Sequence, residues 1–100
     1  MAHDITITCR ENADGGAYIA HAGGSTETGE LTWRPRGPAV RIATHTGVPP
    51  ALRGQGIAAR LVEALVADAE AQGFTIVPAC SYVEAQFRRH PEWSHLRASA

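Results

Sequence analysis

Two cysteines, Cys9 and Cys80, are too few and too unpatterned for a disulfide framework or a zinc site. No metal is therefore expected. No apolar run approaches the length that crosses a bilayer, so no membrane partner is expected. The first residues, Met1-Ala2-His3-Asp4, lack an apolar segment, so no secretory leader is expected and a reducing cytoplasm is the default setting. Neither sign of charge is in surplus. The net charge of −1 gives no bulk attraction to nucleic acid. There is no repeat, no low-complexity tract and no internal boundary. Residues 1–100 read as one domain, and a chain of this size buries roughly 60–70% of its unfolded surface, enough for one core.

What is present is alternation, followed by a helical stripe. Ile5-Thr6-Ile7-Thr8-Cys9 has period two and predicts a strand. Asn12 to Gly16 is a turn, and Ala17 to His21 a second strand. Thr26 to Trp33 and Ala39 to Thr46 read as the third and fourth. Connections this short imply antiparallel neighbours. A helix is predicted from Gly54 to Gln72, because Ile57, Leu61 and Leu65 recur at spacing four and Gly73 is a good stop. Phe74 to Val77 follows as a fifth strand, which favours a parallel crossover back to the fourth. Ser81 and Glu84 have the spacing of a capping box for a second helix that runs to about Arg89. The tail after Leu96 is expected to be loose.

Between the fourth strand and the long helix stand Arg53, Gly54 and Gly56. Glycines there permit a tight turn and close approach of a ligand to backbone N–H groups. The first four N–H groups of a helix lack intrahelical partners, and that end is electropositive, so the corner suits a phosphate or pyrophosphate. A cation at this end is ordinarily unfavourable, which makes sense of Arg53 if an anion shares it. A bare strand-to-helix turn explains the same residues without a ligand. Gly54-x-Gly56-x-x-Ala59 also fits a dinucleotide fingerprint, but the next strand ends Val77-Pro78-Ala79 without the acid that would hold a ribose. A Walker-type loop fails for want of Gly-Lys-Ser/Thr.

Arg-x-x-Gly-x-Ala from Arg53 to Ala58 resembles the acetyl-CoA pyrophosphate loop of the GNAT N-acetyltransferases. Three further strings extend the likeness over about Ile5 to Leu96: Thr44-His45-Thr46 through Val48-Pro49-Pro50, Val77 through Val83, and Arg89-His90-Pro91-Glu92-Trp93. Together they resemble the short single-domain GNAT-like proteins often called YjdJ-type. The resemblance implies an α+β, minimal GNAT-like fold. It has a mostly antiparallel five-stranded sheet, a long helix in a β-α-β unit and a short C-terminal helix. It implies acetyl-CoA, or coenzyme A, held by Val48, Arg53, Gly54, Gln55, Gly56, Ile57 and Ala58, with the fourth and fifth strands splayed to admit it. It implies transfer to an amine acceptor, small molecule or protein. The usual helices between the first two strands are missing, since only Asn12 to Gly16 lies there. The acceptor site is then shallow, open or completed by a partner, and a homodimer is one expected assembly. A non-catalytic acyl-CoA-binding module is the alternative.

Two residues are candidates for chemistry. Cys80 follows the fifth strand at a helix start, which favours thiolate, so it could accept the acyl group or protonate the leaving thiolate. It could equally be a small buried hydrophobe. His45 carries an imidazole, a side chain suited to a general base, or it packs across strands. The family usually reads His-Thr-Glu-Val here; this chain has Gly47 in place of the acid. Cys9 is expected to fill the core. Tyr82, Phe87, His90 and Trp93 are expected to dock the second helix, and Arg88 and Arg89 to meet its C-terminal dipole. One of those arginines could reach a coenzyme phosphate. His3, His21 and His95 show no ligand spacing.

Overall fold

A computed structural model describes residues 4–98. Met1–His3 and Ser99–Ala100, which carry the polar start, His3 and the end of the expected loose tail, lie outside the described residues. The chain forms β1 (Ile5–Asn12), β2 (Gly15–Ala22), β3 (Thr28–Pro35) and β4 (Val40–Gly47). A 3-10 turn (Pro50–Leu52), α1 (Ile57–Gln72), β5 (Thr75–Pro78), α2 (Ser81–Arg89) and a second 3-10 turn (Pro91–Leu96) follow. The sheet order is β1-β2-β3-β4-β5. The first four strands are antiparallel neighbours, and β5 lies parallel to β4. This is the expected mixed α+β sheet.

α1 packs its apolar stripe on one sheet face. Ile57, Leu61, Val62, Leu65, Val66 and Ala69 are buried against Tyr18, Ala20, Leu31, Trp33 and Ala43. Each large side chain buried there contributes about 1.5–3 kcal/mol. Gly73 closes the helix at φ 80°, with its N–H bonded to Ala69 O at 2.9 Å. Val83, Phe87 and Leu96 seal the same core from α2 and the last turn.

Three local expectations fail, each for a physical reason. The long helix starts at Ile57, not Gly54, because Gly54 and Gly56 both adopt left-handed φ (83° and 74°) and keep Arg53–Gly56 as a loop. Cys80, not Ser81, is the N-cap of α2, and the capping box does not form. Glu84 bonds instead to Arg88 at 3.0 Å and Arg97 at 2.8 Å. That pairing helps hold the chain past Leu96: the Ala98 N–H donates to Ile76 O at 2.7 Å, so Arg97 and Ala98 are tied to β5. Cys9 shares the face of Tyr18, its cross-strand partner, but β1 is outermost and the thiol is exposed. It does not fill the core.

Candidate functional site

The β4–β5 pairing is four residues long and stops at Ala43 and Pro78. Beyond it the Cys80 N–H donates to Ala43 O at 2.9 Å, and the chain turns away into α2. Thr44 to Gly47 therefore pair with no strand on the β5 side among the described residues. Proline is the reason for the short pairing: Pro78 has no N–H to extend the ladder.

Cys80 sits in this gap. Its Sγ lies 3.5 Å from the Thr46 hydroxyl. Partial burial pushes the thiol up. The Thr46 hydroxyl and the nearby N–H groups of Val83, Tyr82 and Thr46 favour the thiolate and together outweigh burial, so the thiol is held below its ordinary value. Tyr82 and Val83 are the second and third residues of α2, so the thiol of the N-cap residue lies beside the electropositive helix start without making a side-chain cap hydrogen bond. Cys9 moves the other way. What burial it has, then the Glu11 and Asp68 carboxylates, push its thiol up.

The glycine loop forms a second feature nearby. Val48, Leu52, Arg53, Gly54, Gly56, Ile57, Ala58, Ala59 and Tyr82 line a hollow of about 140 Å³. That volume takes a phosphate-sized group; the rest of a coenzyme would lie along the surface. The first helical bond of α1 runs from the Arg60 N–H to Gly56 O at 3.1 Å. Ile57, Ala58 and Ala59 therefore have no intrahelical partner for their N–H groups. A Cβ on Gly54 or Gly56 would meet nothing within 4 Å, so the space above both is open. The Arg53 Nε donates to Val48 O at 3.2 Å, which ties the loop to the end of β4. The Gln55 side chain lines a different hollow, with Ala22, Ser25 and Ala51, and its buried Oε1 has no partner. Of Gln55, only the backbone belongs to the loop's concave side.

His45 stands elsewhere. The register pairs Thr46 with Leu31, on the helix-covered face, and His45 with Thr32, on the open face. His45 and Cys80 thus lie on opposite sides of the sheet. The His45 Nε2 is 3.0 Å from the place a Cβ on Gly47 would take, so the imidazole covers the position of the missing acid.

Two residues of the site escape sequence reasoning. Thr46 orients the thiol; its alternation with His45 was the available signal. Tyr82 lines the loop hollow while its N–H faces Cys80, so it joins the two halves. Burial pushes its phenol up, with Arg89 opposing and Glu63 adding. Arg88 is taken by Glu84, whereas Arg89 acts at the Tyr82 end of the hollow. Among the described residues no group of His, Cys, Asp and Glu could hold a metal ion, and no helix is long and apolar enough to cross a membrane.

A larger hollow, about 760 Å³, lies toward the β1–β2 turn; Arg10, Asn12, Gly16, Thr32, Arg34 and Thr44 line it, and none of them lines the loop hollow. The glycine loop and Cys80 meet where β4 and β5 part, with a helix start on one side and the Cys80 thiol on the other, and His45 lies apart from them. In comparison with known families, residues 17–96 match the model of the GCN5-related N-acetyl-transferase family. The likeness to the YjdJ-type subgroup rests on the residue strings alone. This chain belongs to the GCN5-related N-acetyltransferase family.

Proposed function

We propose that this chain binds acetyl-CoA at the Arg53–Ala58 loop and transfers the acetyl group to an amine. The observation that carries this reading is the placement of the Cys80 thiol in the gap, 3.5 Å from the Thr46 hydroxyl, with the next-but-one residue, Tyr82, lining the loop hollow. The pyrophosphate meets the amides of Gly54 to Ala58, and Arg89 is placed to meet a phosphate at the hollow's edge. Val48 marks where the pantetheine arm enters the gap; its own carbonyl already accepts from Arg53.

Cys80 is the nucleophile. Its thiolate attacks the thioester carbonyl, the new C–S bond forms, and the bond to the coenzyme sulfur breaks. The coenzyme leaves as thiolate and takes a proton from water. A neutral amine then attacks the acyl-cysteine, the Cys80 C–S bond breaks, and the amide loses its extra proton. The amine reaches the gap where β4 and β5 part and gives that proton to water, because His45 lies on the opposite, open face of the sheet. Gly47 and the short Asn12–Gly15 turn add no cover, so the acceptor meets a surface.

Two measurements test this. In an acetyl-CoA titration, amide shifts should cluster at Gly54–Ala58; shifts confined to another region would overturn the binding site. The chain has no lysine, so Cys9, Cys80 and the N-terminal amine are the strong nucleophiles that could retain an acetyl group. An acetyl adduct on Cys80 in the intact mass, discharged by added amine, is the expected result. Gly47 in place of the family's acid favours a second reading, a module that binds acyl-CoA without turnover. It predicts the same titration with no adduct and no amide product from an amine panel.

A further inference from the structure

The sheet has two outer edges, and they are finished differently. That of β5 is covered: Ile76 bridges to Arg97, and Ala98 donates to Ile76 O. That of β1 is bare among the described residues. The Gly23 N–H donates to Asp4 O at 2.9 Å, which sets the alternation of the antiparallel ladder. Thr6, Thr8 and Arg10 aim their backbone groups at β2. Ile5, Ile7, Cys9 and Glu11 aim theirs outward. Such an edge is usually blunted by proline, lysine, a bulge or brevity. Ile5–Asn12 has no proline, its charges Arg10 and Glu11 stand only at its far end, and it pairs with β2 over eight residues with no register shift.

We propose that β1 pairs antiparallel with β1 of a second copy of this chain, about a two-fold axis through Thr8. This register sets outward groups opposite outward groups along the whole strand. Ile5 then faces Glu11 of the second copy, Thr6 faces Arg10, and Ile7 faces Cys9. Asp4 and Arg10 share the open face by alternation, and the register places Arg10 diagonally beside Asp4 of the second copy. The symmetry repeats that contact, so two attractive charge pairs flank the axis. On the other face Ile7, already packed against the core, meets Cys9 of the second copy beside the axis, while Ile5 meets Glu11 at the ends of the join. The charge pattern is what selects a second copy over an unrelated strand.

The test is sedimentation of the whole chain across a micromolar concentration series. The expected result is a monomer–dimer equilibrium. Cys9→Pro removes one outward N–H and no bond to β2, a position where an edge strand accepts proline. It should be monomeric with an unchanged far-UV spectrum. Thr6→Arg sets an arginine opposite Arg10 of the second copy and should weaken the dimer about tenfold. Adding Arg10→Glu to that variant should restore it. If Cys9→Pro does not fold, the charge swap carries the test alone. A wild-type chain that stays monomeric throughout overturns the proposal. So does a dimer that ignores Thr6→Arg.

Discussion

The β4–β5 pair is shut at one end and open at the other. At the shut end Arg41, with a side chain 12% exposed, lies between the rings of Trp33 and Phe74, 3.9 and 4.1 Å from their centroids. Its guanidinium donates to the Tyr18 hydroxyl at 3.0 Å, which in turn donates to Asp68 on α1 at 2.7 Å. Burial, then the Asp68 hydrogen bond, pushes the Tyr18 phenol far up, so it stays a donor. Arg41, Tyr18 and Asp68 are joined in one chain of hydrogen bonds, while the buried Trp33 Nε1 has no partner, and sheet and helix are pinned together. At the open end, Pro78 stops the ladder, Gly54 and Gly56 hold a loop, and Cys80 has hydrogen-bond donors around its sulfur. Stability is concentrated where nothing reacts, and donors are left for a ligand where the strands part.

The sharpest way to break this contrast is Arg41→Met. It leaves the Tyr18–Asp68 pair without its cation and should cost on the order of 3 kcal/mol. Urea unfolding measures it, and acetyl-CoA affinity of the folded fraction should be unchanged. Gly56→Val should do the reverse. A β-branched residue at φ 74° costs about 1–2 kcal/mol, yet its side chain meets no protein atom. The larger effect is on binding, with calorimetry expected to show more than about a tenfold loss of acetyl-CoA affinity, over 1.4 kcal/mol.

A third test stays at the open end. Iodoacetamide labelling, read by peptide across pH, should reach Cys80 at lower pH than Cys9, since the first thiol is lowered and the second raised. Cys9 labelling first would remove the case for Cys80 as nucleophile. Cys80→Ala should lose acyl transfer and retain acetyl-CoA binding. The smallest effect concerns Glu84, whose carboxyl the Arg97 hydrogen bond holds below the ordinary range. Its contribution is present above the unfolded carboxylate pKa and is lost as pH falls through the folded value. Glu84→Gln should slightly flatten the acid limb of a stability profile, and little more, because the pair is exposed.

Alternation and the Ile57–Leu61–Leu65 stripe made the sheet and α1 legible, because both are set by which side chains must leave water. The glycine loop was legible because φ above zero is written in glycine. What stayed hidden depended on distant partners. The Ser81–Glu84 spacing suggested a capping box, but Arg97, thirteen residues on, competes for the same carboxylate. Cys9 alternates like a core residue, and only the strand order shows that nothing covers it. Arg41 reads as an ordinary strand cation until Trp33, Phe74 and Tyr18 are brought around it.

The four-residue β4–β5 pairing also has a kinetic consequence. β1 to β4 join neighbours in sequence through short turns, whereas Val40 meets Thr75 only after α1 has been spanned. That closure carries the larger chain-entropy cost, so the meander should order first and β5 last. Cys80 and α2 follow β5 in the chain and come into place with it. A ligand that bridges the glycine loop and Cys80 grips the last contact to form. It should slow unfolding far more than it speeds folding.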